Sequence, residues 1–279
     1  MKEQYCGLAK TAKDKQEAIE RLAEIIGILR KECPWDKVQT HESLRLGMLE
    51  EAYEVVEAIN NRDLENLREE LGDVLLQVVF HAHIEEENQN FDLTDVINEE
   101  CEKMIRRHPH VFLEESENNH AKSIDKVLEK WENIKVQEKG TSDVTSRMEK
   151  VPKALPALLR AAKIQKKAAE SGFDWDDISG AFEKVQEEYR EVSECYAENP
   201  SSLDALKEEV GDLLFSVVNI ARFLDIDPEA ALDYTNNKFI RRFSYVEKAA
   251  LACGRELKEM SLSEMDELWN EAKQLEHSV

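Results

Sequence analysis

Apolar residues recur along this chain at three- and four-residue steps, the period of a helix that buries one stripe. Ile19, Leu22, Ile25, Ile26 and Leu29 form the first stripe and predict a helix from about Asp14 to Lys31, stopped by Cys33-Pro34-Trp35-Asp36. A second helix is predicted over roughly Ser43 to Asn60, and a third from about Leu64 to Asn88 after the turn Asn60-Asn61-Arg62-Asp63. On that third helix Leu71, Leu75, Val78 and Ala82 mark the expected buried side. A break follows at Phe91 to Asp95, where Asp92 or Thr94 can cap the next helix; that helix runs to about Arg107 and ends at His108-Pro109-His110. Residues 113–123 are polar and acidic and read as a loop, and 124–138 resume helical character with Trp131. Residues 139–150 carry Gly140, Thr141, Ser142 and Thr145 with few large apolar side chains, the composition of a linker.

The pattern then starts again. Helices are predicted over Leu155 to Glu170, Ile178 to Glu198, Ser201 or Ser202 through Phe223, and Asp227-Pro228 to about Cys253, with a last helix holding Trp269. Leu67 to Val79 aligns without gaps on Leu206 to Val218, with 8 of 13 positions identical. A repeat at this long spacing points to duplicated domains rather than a solenoid. No segment sustains two-residue alternation, so the expected fold is all-α, with tandem helical domains at 1–138 and 151–279.

Composition narrows the partners. The 279 residues carry 60 Asp and Glu against 37 Lys and Arg, a net charge of −23, which disfavours a nucleic-acid footprint. No window reaches the ~18 apolar residues of a membrane span. Cys6, Cys33, Cys101, Cys195 and Cys253 are scattered and unpaired in spacing, as expected of a reducing cytoplasm.

The chemistry lies in a duplicated acidic motif. Glu50-Glu51-x-x-Glu54 precedes Glu70-x-x-Asp73, and Glu187-Glu188-x-x-Glu191 precedes Glu209-x-x-Asp212. At about 100° per residue, Glu188 and Glu191 share one helix face, as do Glu209 and Asp212. Two antiparallel helices can bring these carboxylates together, a donor set for hard cations such as magnesium or manganese. A solvated acidic stripe is the bland alternative, and the duplication weighs against it. Gly72 and Gly211 recur at matching helical positions, where glycine costs ~1 kcal/mol relative to alanine; each is expected to admit a close neighbour. A di-iron site would use Glu-x-x-His, and that spacing occurs only as Glu117-x-x-His120 in the polar loop. His81, His83, His108 and His110 are expected to be structural or exposed.

Lys238-x-x-x-Arg242 places two cations on one face before Trp269, and Lys103-x-x-x-Arg107 precedes Trp131 in the same order. Cations opposite a carboxylate–metal cluster suit a polyphosphate, and an aromatic can stack on a base. Together with Cys33-Pro34-Trp35-Asp36, Arg106-Arg107-His108-Pro109-His110-Val111-Phe112 and Gly172-Phe173-Asp174-Trp175, these motifs resemble the MazG nucleoside triphosphate pyrophosphohydrolases over nearly the whole chain. The resemblance implies an all-α homodimer, magnesium dependence, and hydrolysis of NTPs or dNTPs to the monophosphate and pyrophosphate. It implies metal ligands at Glu188, Glu191, Glu209 and Asp212, first-half counterparts at Glu51, Glu54, Glu70 and Asp73, and nucleotide contacts at Lys184, Lys238, Arg242 and Trp269.

The halves differ. Lys184 lies one turn before Glu188, and its first-half counterpart is Gly47; Asn219 lies two turns after Asp212, and its counterpart is Phe80. Catalysis is therefore expected mainly in the second half, with Glu187 or Glu188 as the candidate base, ligand or both. Two rivals stand beside this reading: a nucleotide-sensing or partner-binding helical dimer without turnover, and a phosphohydrolase that removes one phosphate at a time.

Overall fold

The computed structural model describes residues 2–112 and 143–276, with 123, 124, 127, 131 and 134 between them. Glu117 and His120 lie outside the described residues. No strand occurs among those described, and contacts divide the chain into two compact units, Met1–Lys135 and Val136–Val279.

In the first unit, α1 (Lys15–Glu32), α2 (His41–Asn61), α3 (Leu64–Glu87), α4 (Leu93–Arg107) and the single turn α5 (Pro109–Phe112) follow in order. Capping residues set the starts: the side chains of Asp14, Asp63 and Asp92 accept from backbone N–H groups of α1, α3 and α4. Thr40 and Ser43 close a reciprocal capping box on α2. Arg62, in the left-handed region at φ 57°, turns α2 back along α3. The core joins Ile26, Leu44, Val79, Phe80 and Ile84, with Ile19, Leu22 and Leu29 packed against it. Arg30 ties the 33–39 loop to the helices by donating to the carbonyls of Asp36 and Gln39 at 2.7 and 2.8 Å and to Glu87.

The second unit contains α6 (Val144–Glu149), α7 (Ala157–Ala169), α8 (Ile178–Glu198), α9 (Leu203–Phe223), α10 (Pro228–Ala252) and α11 (Leu262–Glu276). The α8–α9 pair has the most extensive helix contact, matched in the first unit by α2–α3. Four residues join α8 to α9, short enough to force an antiparallel hairpin.

Four local expectations change. Part of the stretch read as a linker is helical, because Asp143 caps a short helix over Val144–Glu149. Ser202 occupies the N-cap of α9 without a side-chain cap bond. Leu71 and Leu75 are 52% and 41% exposed; Ala82 is buried as expected, and with it Glu70, Val79, Phe80 and Ile84. The reason is that the core lies between α1 and the second half of α3, while the described residues leave the Leu71 face about half exposed. Gly72 and Gly211 likewise meet no neighbour: a Cβ at either would have nothing within 4 Å.

Candidate metal and nucleotide site

The α8–α9 hairpin brings Glu188, Glu209 and Asp212 together, each offering a carboxylate oxygen within 4.8 Å of the others. The α2–α3 hairpin does the same with Glu51, Glu70 and Asp73. Glu191 lies outside the three-carboxylate group but close to Glu188, and that neighbouring carboxylate, with burial, raises its pKa. Burial and then the neighbouring carboxylates raise Glu51, and burial and then Glu54 raise Glu70. Such mutual repulsion is relieved by a cation between the groups. The fit is supported by Glu188: its side chain is 6% exposed, and its Oε2 is buried without a hydrogen-bond donor. An all-oxygen donor set with a spare buried carboxylate atom suits magnesium or manganese.

Lys184 reaches Glu188 Oε1 at 2.5 Å and Glu187 Oε1 at 3.0 Å. Those carboxylates hold its amine well above the ordinary lysine value, so it is a fixed positive charge. Glu187 itself is exposed and lies outside the three-carboxylate cluster.

Lys184, Glu188, Asp212 and Asn219 all line one cavity of about 710 Å³. Its far wall is the segment Gly172-Phe173-Asp174-Trp175, held onto α9 by Arg222. Arg222 donates to Asp174 Oδ2 and Oδ1 at 2.8 and 2.5 Å, and through Nε to Asn219 Oδ1 at 2.7 Å. Arginine has only donors, so the Asn219 oxygen must face it, which leaves the Asn219 amide nitrogen for the cavity side. The Trp175 indole lies so close to Gly180 that a Cβ there would collide with it. Arg222 and Gly180 escaped the sequence reading: an arginine after an apolar run and a glycine near a helix start carry no signal until the loop is seen against them.

Lys238, Arg242 and Trp269 fall elsewhere in the single chain. They lie on α10 and α11, where the Trp269 ring is 5.1 Å from that of Phe239 and beneath the Arg242 guanidinium at 5.8 Å. Lys238 and Arg242 line a separate depression with Glu276, whose carboxylate pairs with Arg242 at 2.7 Å and Arg241 at 3.1 Å. One chain therefore assembles Lys184, Glu188, Asp212 and Asn219, and keeps the α10 cations apart from them. Among the described residues of the first unit His81 joins no carboxylate cluster; its ring stacks on His41, whose Nε2 meets Glu85 at 2.6 Å, a structural clasp between the start of α2 and α3.

Fold and site together define an all-α protein built on two carboxylate-bearing helix hairpins suited to divalent cations. The chain belongs to the MazG nucleotide pyrophosphohydrolase family, whose domain matches residues 39–112 and again 179–246. It is 45% identical over 256 residues to the nucleoside triphosphate pyrophosphohydrolase/pyrophosphatase MazG of Thermotoga maritima, covering 91% of this chain and 95% of that one. It is 43% identical over 263 residues to the nucleoside triphosphate pyrophosphohydrolase of Escherichia coli K12, covering 92% and 98%. It is also 54% identical over 247 residues to the uncharacterized protein YabN of Bacillus subtilis, covering 88% of this chain and 49% of that one.

Proposed function

We propose that this chain hydrolyses nucleoside triphosphates to the monophosphate and pyrophosphate at the second-unit cluster, and that it does so as a homodimer. The observation that carries the reading is a cluster of Glu188, Glu209 and Asp212, two of which, Glu188 and Asp212, line one cavity with Lys184 and Asn219. The first unit has the carboxylates, but Gly47 and Phe80 stand where Lys184 and Asn219 would.

Glu188, Glu209 and Asp212 would hold magnesium or manganese, with Glu191 at the rim. A bound divalent cation supplies charge neutralisation on the phosphates and a lowered pKa for a nearby water. Lys184 balances the buried Glu188 charge and brings a positive charge to the phosphate side of the cavity. Glu187, exposed and held by Lys184, would accept a proton at its free carboxylate oxygen, and Glu188 is the alternative acceptor. The Asn219 amide can donate to a phosphate or sugar oxygen. The cavity wall from Phe173 to Trp175 offers aromatic surface to a base.

The exposed apolar faces support a second copy as the partner. Tyr189, Tyr196, Val210, Leu214 and Val217 are all large, apolar and exposed on the α8–α9 hairpin, and Gly211 beside them leaves room for close approach. An isologous pairing covers such a face and can bring the α10 cations toward a carboxylate cluster. Free cysteines suit a cytoplasmic setting, and removal of unwanted nucleotides is the role this chemistry fits.

Product analysis tests the proposal. Pyrophosphate and monophosphate in equal amounts, lost in excess chelator, are expected. Glu188→Ala and Asp212→Ala should abolish release, whereas Glu51→Ala and Asp73→Ala should retain most of it. Orthophosphate as the first product overturns the reaction assigned; tight metal-dependent binding without product makes the chain a sensor.

A further inference from the structure

Two acceptor atoms among the described side chains of the second unit are buried without a partner, Glu188 Oε2 and Gln165 Oε1, and both residues line the same cavity. The first would be accounted for by a cation. The second is not, and an unsatisfied buried acceptor is costly enough to need a reason.

Gln165 sits on α7, is 6% exposed, and donates through Nε2 to the carbonyl of Phe215 at 2.7 Å. That carbonyl can only accept, so the orientation of the amide is fixed, and Oε1 is the atom left over. Phe215 and Ser216 lie within one helical turn of Asp212, which sets Gln165 roughly one turn, ~5 Å, along α9 from the cluster. The aromatic segment Phe173 to Trp175 lines the same space. The repeat adds an independent observation. A shift of 138 residues lays Asp174 on Asp36 and Ile164 on Ile26, and it places Gly27 opposite Gln165. The first unit thus has no amide at this position, where a Cβ at Gly27 would meet the His83 ring at 3.2 Å; its own unpaired buried amide oxygen is on Gln77 of α3, beside Gly47.

Resting on the pyrophosphohydrolase reading, we propose that Gln165 is a specificity-determining residue whose Oε1 accepts a hydrogen bond from an N–H on the edge of the substrate base. The favoured substrates then carry an amino or imino N–H on that edge, such as the adenine or cytosine amino group. A triphosphate whose base has no such donor leaves Oε1 orphaned in the complex and is discriminated against.

The test compares ATP with purine riboside triphosphate, and CTP with the triphosphate of 2-oxopyrimidine riboside, in wild type and Gln165→Met. Methionine keeps the length of the side chain and removes its acceptor. Pyrophosphate release gives kcat/KM, and equilibrium binding with manganese is measured on the same four compounds. Wild type should prefer the donor-bearing base by about tenfold to a hundredfold, and Gln165→Met should bring the ratio near one. No preference in wild type, or an unchanged ratio in the variant, overturns the proposal. Preference for 2′- or 3′-hydroxyls that vanishes in the variant while the base ratio persists assigns the acceptor to the sugar and also overturns it. The base comparison in wild type does not depend on the variant folding. Failure of wild type to release pyrophosphate from any triphosphate defeats the function, whereas the binding ratios still decide the role of Gln165.

Discussion

Lys184→Met is the most informative single change, because it separates what neutralises Glu188 from what binds substrate. The substitution keeps most of the aliphatic stem and removes an ammonium lying 2.5 Å from Glu188 and 3.0 Å from Glu187. The Glu188 side chain is 6% exposed and Lys184 is 38% exposed. Breaking a fully buried pair costs ~3–5 kcal/mol; the exposure of Lys184 lets water and salt screen the loss, which reduces the cost to ~1–2 kcal/mol. For a unit of this size that lowers the melting transition by ~3–6 °C in metal-free buffer. A divalent cation at ~100 times its Kd contributes ~2.7 kcal/mol. In wild type the Lys184 ammonium on Glu188 Oε1 repels a cation at Oε2; in the variant that repulsion is gone. The metal-induced rise in Tm should therefore be larger in Lys184→Met than in wild type. Because its carboxylate partners hold the lysine amine above its ordinary value, the difference should be constant from neutral to moderately alkaline pH. Calorimetry of the full chain with chelator and with manganese reads all of this. A variant that melts with wild type in chelator, and gains no more from manganese, refutes the idea that Lys184 balances an otherwise uncompensated Glu188.

Glu276→Gln should free Arg242 and Arg241 from their carboxylate partner and lower KM for a triphosphate by about two- to fivefold, the scale of a screened surface pair; a raised KM in steady-state assays would mean that Glu276 positions Arg242 instead. Glu264 accepts from Arg255 and from the backbone and side chain of Ser261, which depress its pKa from 4.5 to about 2. A depressed carboxylate stabilises above its unfolded pKa and loses that effect as pH falls through its folded pKa. Glu264→Gln should thus lower Tm at neutral pH but leave it close to wild type below about pH 2, as measured by thermal denaturation across pH. Leu214→Asp, on the exposed face of α9, should convert a dimer into a monomer in sedimentation equilibrium; a wild-type chain that is monomeric at micromolar concentration and fully active sinks the dimer proposal.

The sequence by itself determined the elements and their repetition. The start of α8 at Ile178 and its end at Glu198 were legible from period and break alone, and the tandem family match at 39–112 and 179–246 agrees with the duplication read from Leu67 to Val79. Helix caps were visible where the side chain acts within three residues, as at Asp92, because local geometry fixes such bonds. The convergence of Glu188, Glu209 and Asp212 was also foreseeable, since a four-residue connection forces an antiparallel hairpin and helical spacing sets the faces.

What only the tertiary structure decided involves partners far apart in sequence. Arg222 bonds Asp174 across 48 positions, and Gln165 bonds Phe215 across 50; no local period encodes either. The apolar stripe through Leu71 and Leu75 could not reveal whether its cover comes from the same chain. Periodicity reports only that a face is apolar, and which surface is buried follows from the competition between neighbouring elements for the same core. The order Lys238, Arg242, Trp269 predicted one group of side chains; the fold sets these residues on α10 and α11, with Lys238 and Arg242 in a depression around Glu276 and the Trp269 ring against Arg242 and Phe239. Sequence spacing fixes direction along a helix, and only the packing of helices against one another fixes distance between them.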